Sequence, residues 1–174
     1  MRKVLWKMAG VGLAIWCGTG LAGCGDRRIP QAQVSWEDGE LVCTEAAWTS
    51  EEEASWRDYM EEYGENLSYL ELGTELTVSF DGEKPEGLEV RDSVIDEEGN
   101  LRYEDRVTEI RDCRWQEDRE AYTFYLSGHF GSVLSSDLAD YEPGACLRGL
   151  EINYRWDGKD YTSRFVVRTD AGLM

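Results

Sequence analysis

His129 is the only histidine among 174 residues, and an imidazole is the side chain best placed to move protons near neutral pH. It stands in the run Ser127-Gly128-His129-Phe130-Gly131-Ser132. A hydrolase of the triad type would need a nucleophile, a base and a group that orients the base. No G-x-S-x-G elbow occurs to raise a serine beside a helix, so His129 reads as a structural residue. Paired carboxylates are the other route to hydrolysis. With 36 Asp and Glu in the chain, some pair always looks suitable, and the pattern carries no information. A cell-envelope hydrolase using acidic residues therefore stands as the alternative, and a non-enzyme without cofactor as the main expectation. Walker and Rossmann phosphate loops are absent.

Metal chemistry is no better supported. Cys43, Cys113 and Cys146 lie far apart in sequence, and one histidine cannot complete a zinc pattern. Asp96-Glu97-Glu98-Gly99-Asn100 is rich in oxygens but lacks the alternating acids and terminal glutamate of a calcium loop. No metal site is expected. The same three cysteines can make one disulfide and leave one thiol over, or remain three buried thiols.

The N-terminal residues have the layout of an export signal. Arg2, Lys3 and Lys7 make a positive start, Met8 to Gly20 an apolar run, and small residues follow. The run is shorter than the roughly 20 residues a membrane-spanning helix needs. It closes on Leu21-Ala22-Gly23-Cys24, which resembles the lipobox of bacterial lipoproteins. That resemblance implies thioether lipidation of Cys24 by diacylglycerol, with palmitate as the acyl chain, followed by cleavage before Cys24, which becomes the new N-terminus, so that residues 1–23 are a signal peptide. Two acyl chains anchor a protein where a single one does not. The implied location is extracytoplasmic, on the cell membrane. Residues 24–33 are then a polar tether, whose stretch Gly25 to Gln33 reaches about 30 Å at full extension. A second resemblance covers about a third of the chain. Asp140-Tyr141-Glu142-Pro143-Gly144, Arg148-Gly149 and Arg168-Thr169-Asp170 are similar to the closing part of small uncharacterised lipoproteins of Gram-positive gut anaerobes. It carries no activity with it.

Charge narrows the partners. The formal charge is −18 and becomes −21 once the three basic residues of the signal are removed. Such a field repels nucleic acid, which needs a basic face, and it repels anionic lipid, so membrane contact should run through Cys24 alone. A protein or glycan partner at the envelope remains. Seven tryptophans and nine tyrosines, two of the tryptophans within the signal, read first as core material and second as a binding surface.

The elements that must position these groups are mostly strands. Residues 34–174 read as one β-rich domain. Leu41 to Ala46 is a first strand. Glu51 to Tyr63 is the single helix, with capping-box spacing at Ser50 and Glu53, a stripe of Trp56, Tyr59, Met60 and Tyr63 packed on the sheet, and Gly64 ending it. Leu76, Val78 and Phe80 alternate with polar residues, and Leu88 to Arg91 is a strand continuing towards Val94 and Ile95. Val107 to Cys113 and Ala121 to Leu126 read as a pair around a charged loop. Leu147 to Trp156 and Tyr161 to Arg168 form a hairpin on Asp157-Gly158, after a turn at Pro143-Gly144. Trp115 and Trp156 are candidate core aromatics. About seven short strands with frequent turns predict an antiparallel β-sandwich of Ig-like architecture with one short helix, a small β-barrel being the alternative.

Overall fold

The computed structural model describes residues 30–46, 55–81 and 84–172. In chain order the elements are β1 (Ala32–Trp36), β2 (Gly39–Leu41), β3 (Thr44–Ala46), α1 (Arg57–Tyr63), β4 (Glu75–Phe80) and β5 (Gly87–Ile95). There follow β6 (Glu109–Arg111), β7 (Arg114–Gln116), β8 (Ala121–Tyr125), β9 (Cys146–Trp156) and β10 (Lys159–Thr169), with short 3₁₀ turns between some of them. The ten strands form two antiparallel five-stranded sheets, ordered β2-β1-β4-β8-β7 and β3-β10-β9-β5-β6. The fold is mainly β, a sandwich rather than a closed barrel.

Period-2 alternation places the core. Val34, Leu76, Val78, Tyr122 and Phe124 of the first sheet are buried together with Val90, Leu150, Ile152, Phe165 and Val167 of the second. The long hairpin forms as its turn demands. Asp157 and Gly158 both take positive φ, 51° and 71°, the geometry of a type I′ connection, and the ladder runs unbroken from Lys159↔Trp156 to Thr169↔Cys146. β5 continues through Val94 and Ile95 and pairs along β9.

The second sheet is buried on both faces in its middle. On the face away from the first sheet, Trp56 lies flat over Gly149, where a Cβ would come within 2.6 Å of the indole. That glycine is a packing requirement, not a conformational one. Arg164 lies over the same indole with its guanidinium carbon 5.8 Å from the ring centroid. Tyr59 is buried beside it, Met60 and Tyr63 are half-buried against the core, and the helical stripe therefore packs on the sheet. The indole Nε1 of Trp56 has no hydrogen-bond partner among the described residues.

Several expected boundaries move. Residues 41–46 are not one strand: the chain leaves the first sheet after Leu41 and joins the second at Thr44, because Val42 and Cys43 turn the corner between layers. Val107 to Cys113 and Ala121 to Leu126 do not pair with each other. β6 pairs with β5 in the second sheet, and β8 pairs with β7 and β4 in the first, the crossing falling at Asp112 and Cys113. β1 starts at Ala32, which pairs with Phe80, so the last two residues of the expected tether belong to the sheet. The helix begins at Arg57, with Ser55 and Trp56 outside it, and the Ser50–Glu53 capping pair lies outside the described residues. Gly64 does not end it in a left-handed cap; with φ −56° it leads into a 3₁₀ turn, Gly64–Asn66. Trp115 packs only at the core's margin, edge-on to Tyr122 at 5.0 Å. Trp156 is half-exposed at the hairpin tip, and among the described residues the fully buried tryptophan is Trp56.

Candidate functional site: the His129 pole

The strands run between two poles. Pro30, the first described residue, accepts a hydrogen bond from Tyr154 at 3.0 Å and so sits at the Asp157-Gly158 end. The other end gathers the β1–β2 turn, the segment before β4, the loop from Ser127 to Ala145, and the C-terminal end of β10. Eleven residues of β9 separate the two, roughly 35 Å at about 3.3 Å per residue.

The His129 pole is built on a buried ion network. Asp92 and Arg148 occupy inward positions of β5 and β9 and are both fully buried. Arg148 donates from Nε to Asp92 Oδ1 at 2.8 Å and from Nη2 to Oδ2, a bidentate pair. Arg111, at the end of β6, donates to the same carboxylate from Nε at 2.7 Å. It reaches Ser127 Oγ at 2.7 Å and Glu109 Oε2 at 2.9 Å with its other nitrogens. Two guanidiniums thus face two carboxylates. Burial by itself would raise the pKa of Asp92, but the guanidiniums, Arg148 foremost, outweigh it and hold the carboxyl below its ordinary range.

This network holds the loop that follows β8. Arg148 also donates to the carbonyl of Ser127, at 3.4 Å. His129 is fully buried; its Nδ1 accepts from the Gly131 N–H at 2.9 Å, so the proton sits on Nε2 and is given to the Asp92 carbonyl at 2.9 Å. Burial, helped by the Arg148 charge, pushes its pKa down, which keeps it neutral. Both ring nitrogens are occupied, and the one histidine acts as a strut. Phe130 N–H adds a bond to Glu109 Oε1 at 2.7 Å, and Ser132 Oγ donates to the His129 carbonyl at 2.7 Å.

Above this footing the loop shows apolar side chains to solvent. Phe130 is 54% exposed and Leu138 84%, and Leu134 and Tyr141 are exposed as well. The loop is tied to itself rather than trailing. Tyr141 donates to the carbonyls of Val133 and Ser135 at 3.1 and 2.8 Å, Asp137 caps the Ala139 N–H at 3.0 Å, and Asp140 takes bonds from Ser135 and Arg102.

Beside the loop lies an open cleft of about 780 Å³. Trp36, Glu37 and Asp38 form one wall, Tyr69 and Glu71 another, and Arg119 reaches in from the β7–β8 turn to Glu75 at 2.8 Å. Tyr69 joins cleft to loop: a Cβ on Gly144 would touch its ring at 3.4 Å, and Gly144 is held by Asp170 at 2.9 Å.

The remaining predicted residues are not brought together. Cys43, Cys113 and Cys146 are free thiols, two at the corners between sheets and one within β9. Burial pushes Cys43 up to about 12 and Cys113 up to about 11, and raises Cys146, so all three stay protonated and unreactive. The Asp96 turn is closed by its own hydrogen bonds, Asp96 Oδ1 accepting from the Asn100 and Glu98 N–H groups at 2.8 and 3.1 Å. Among the described residues no cluster of His, Cys, Asp or Glu could hold a metal ion, and no helix is long and apolar enough to cross a membrane. Leu21 to Cys24 lie outside the described residues. Asp92, Arg111 and Arg148 escape sequence reading, although Arg148 had a signal: it fills an inward slot between Cys146 and Leu150. No family model, curated protein or solved structure matches the chain.

Proposed function

We propose that this chain is a lipid-anchored extracytoplasmic lipoprotein whose domain binds a partner at the cell envelope without catalysis. The observation that carries the reading is polarity. Pro30, the described residue nearest Cys24 in sequence, sits at one pole, and the exposed apolar loop and the aromatic-walled cleft sit at the other. A lipid on Cys24 would therefore hold the domain with its binding pole outward. The rigid footing under the loop suits a surface that must keep its shape to be recognised.

The hydrolase reading would need a carboxyl with raised pKa facing another across a cleft. Among the described residues the carboxyls that shift, Glu75, Asp92, Asp140 and Asp160, all shift down. They are held ionised by arginines, which suits ion pairing better than proton donation.

The test is expression of the full chain beside a Cys24→Ala variant, with membrane partitioning and the mass of the mature N-terminus as readouts. Wild type should partition with membranes and carry the lipid mass on Cys24, and the variant should do neither. Equal release of both into the soluble fraction would sink the anchor.

A further inference from the structure

We infer that the loop from Phe130 to Tyr141 docks a protein partner whose contact surface is apolar and edged by Lys and Arg side chains. This deepens the binding reading and rests on it.

Among the described residues, four of the eight large hydrophobics found exposed, Phe130, Leu134, Leu138 and Tyr141, fall within this one segment. Exposed aliphatic side chains gain little from a sugar and much from an apolar protein surface. They are also preorganised, since the footing on Arg111, Arg148 and His129 means that docking need not first order the loop. Charge then selects the partner. Residues 127–145 contain Asp137, Asp140 and Glu142 and no Lys or Arg. Arg102 neutralises Asp140, and the neighbouring cleft adds Glu37, Asp38 and Glu71. A basic rim on the partner complements this edge and is drawn to a chain of formal charge −18. The same charges argue against the other occupants. A second copy would set acid against acid, and an anionic bilayer would be repelled. The bilayer that holds Cys24 would in addition lie towards the opposite pole.

The test uses full-length chain in detergent as bait for a display library of random short peptides. Peptides recovered should combine Leu, Ile, Phe or Trp with Lys or Arg. Their affinity should fall about tenfold or more for Leu134→Ser with Leu138→Ser, the loss expected when buried apolar contacts are removed. It should also fall for Glu142→Lys, with a weaker dependence on salt, and stay unchanged for Glu89→Gln at the Pro30 side. All these side chains are exposed, and equal melting temperatures would show that each variant is folded. Recovery of no peptide, of acidic or wholly polar peptides, or of peptides indifferent to Leu134 and Leu138 would overturn the proposal. So would retention of neutral oligosaccharides instead, which would move recognition to the cleft. The result does not depend on lipidation, so failure of the anchor and failure of the docking surface register separately.

Discussion

Two groups of charges meet at the His129 pole and behave in opposite ways. Asp92, Arg111 and Arg148 are out of water, and each is saturated by its neighbours. Glu37, Asp38 and Glu71 are exposed around the cleft. The inner group determines where the loop sits and spends its hydrogen bonds within the fold. The outer group is available to a ligand and holds little of the fold together. Having a charge is therefore a poor guide to having a role in binding; what matters is whether the charge already has its partner.

Asp92→Ala should break that contrast most severely. It leaves two guanidiniums facing Glu109 alone, and removal of one member of a buried pair costs about 3–5 kcal/mol. Urea unfolding should show it as a large drop in midpoint, and the 127–134 amides should lose hydrogen-exchange protection first. Gly149→Ala asks how much of the interior's sensitivity is steric rather than electrostatic. The added methyl meets the Trp56 indole and Ile95, and overpacking of this kind costs about 1–3 kcal/mol, again read from the urea midpoint.

Acid should weaken the pole in two stages. His129 is held neutral in the fold, so the unfolded chain binds the extra proton, and stability declines as pH falls below about 6.5 and on through the lower folded pKa. Asp92 is held ionised, so its contribution is lost only below about 3.9. His129→Gln should flatten the first decline and leave the second in urea titrations across pH. A slope near pH 6 that survives the substitution would remove His129 from the account. The smallest effect belongs to the cleft. Glu37→Gln, Asp38→Asn and Glu71→Gln should each change stability by no more than about 0.5 kcal/mol, seen as overlapping thermal melts.

The strands were legible where local pattern and turn chemistry agreed. Asp157-Gly158 announces its own geometry, and Leu76, Val78 and Phe80 alternate as the pleat requires. What could not be read was which strands meet. The stretch from Leu41 to Ala46 looks continuous because nothing in its side chains records that the backbone changes sheet at Val42-Cys43. The same is true at Asp112-Cys113, where the pairing of β6 with β5 depends on residues far off in sequence. The candidate site was less legible still. Arg148 and Asp92 look like ordinary surface charges until the fold turns them inward. Trp36 and Tyr69, which share the cleft, are 33 positions apart. His129 was legible only as a lone imidazole; that its two ring nitrogens meet the Gly131 N–H and the Asp92 carbonyl depends on β5 lying beside the loop.

The two corners have a consequence for how copies of this chain meet one another. Each sheet ends on strands of only three residues, β2 and β7 in one and β3 and β6 in the other, and at both sides the chain runs straight on from one layer's margin into the other's. A long, flat margin is a template on which a neighbouring chain can add itself as another strand. Here the margin bends away after three residues and becomes part of the opposite layer. Copies of such a chain are thereby guarded against adding to one another strand by strand, and Glu40, Glu45, Glu109 and Arg114 on the same short margins add charge to that protection.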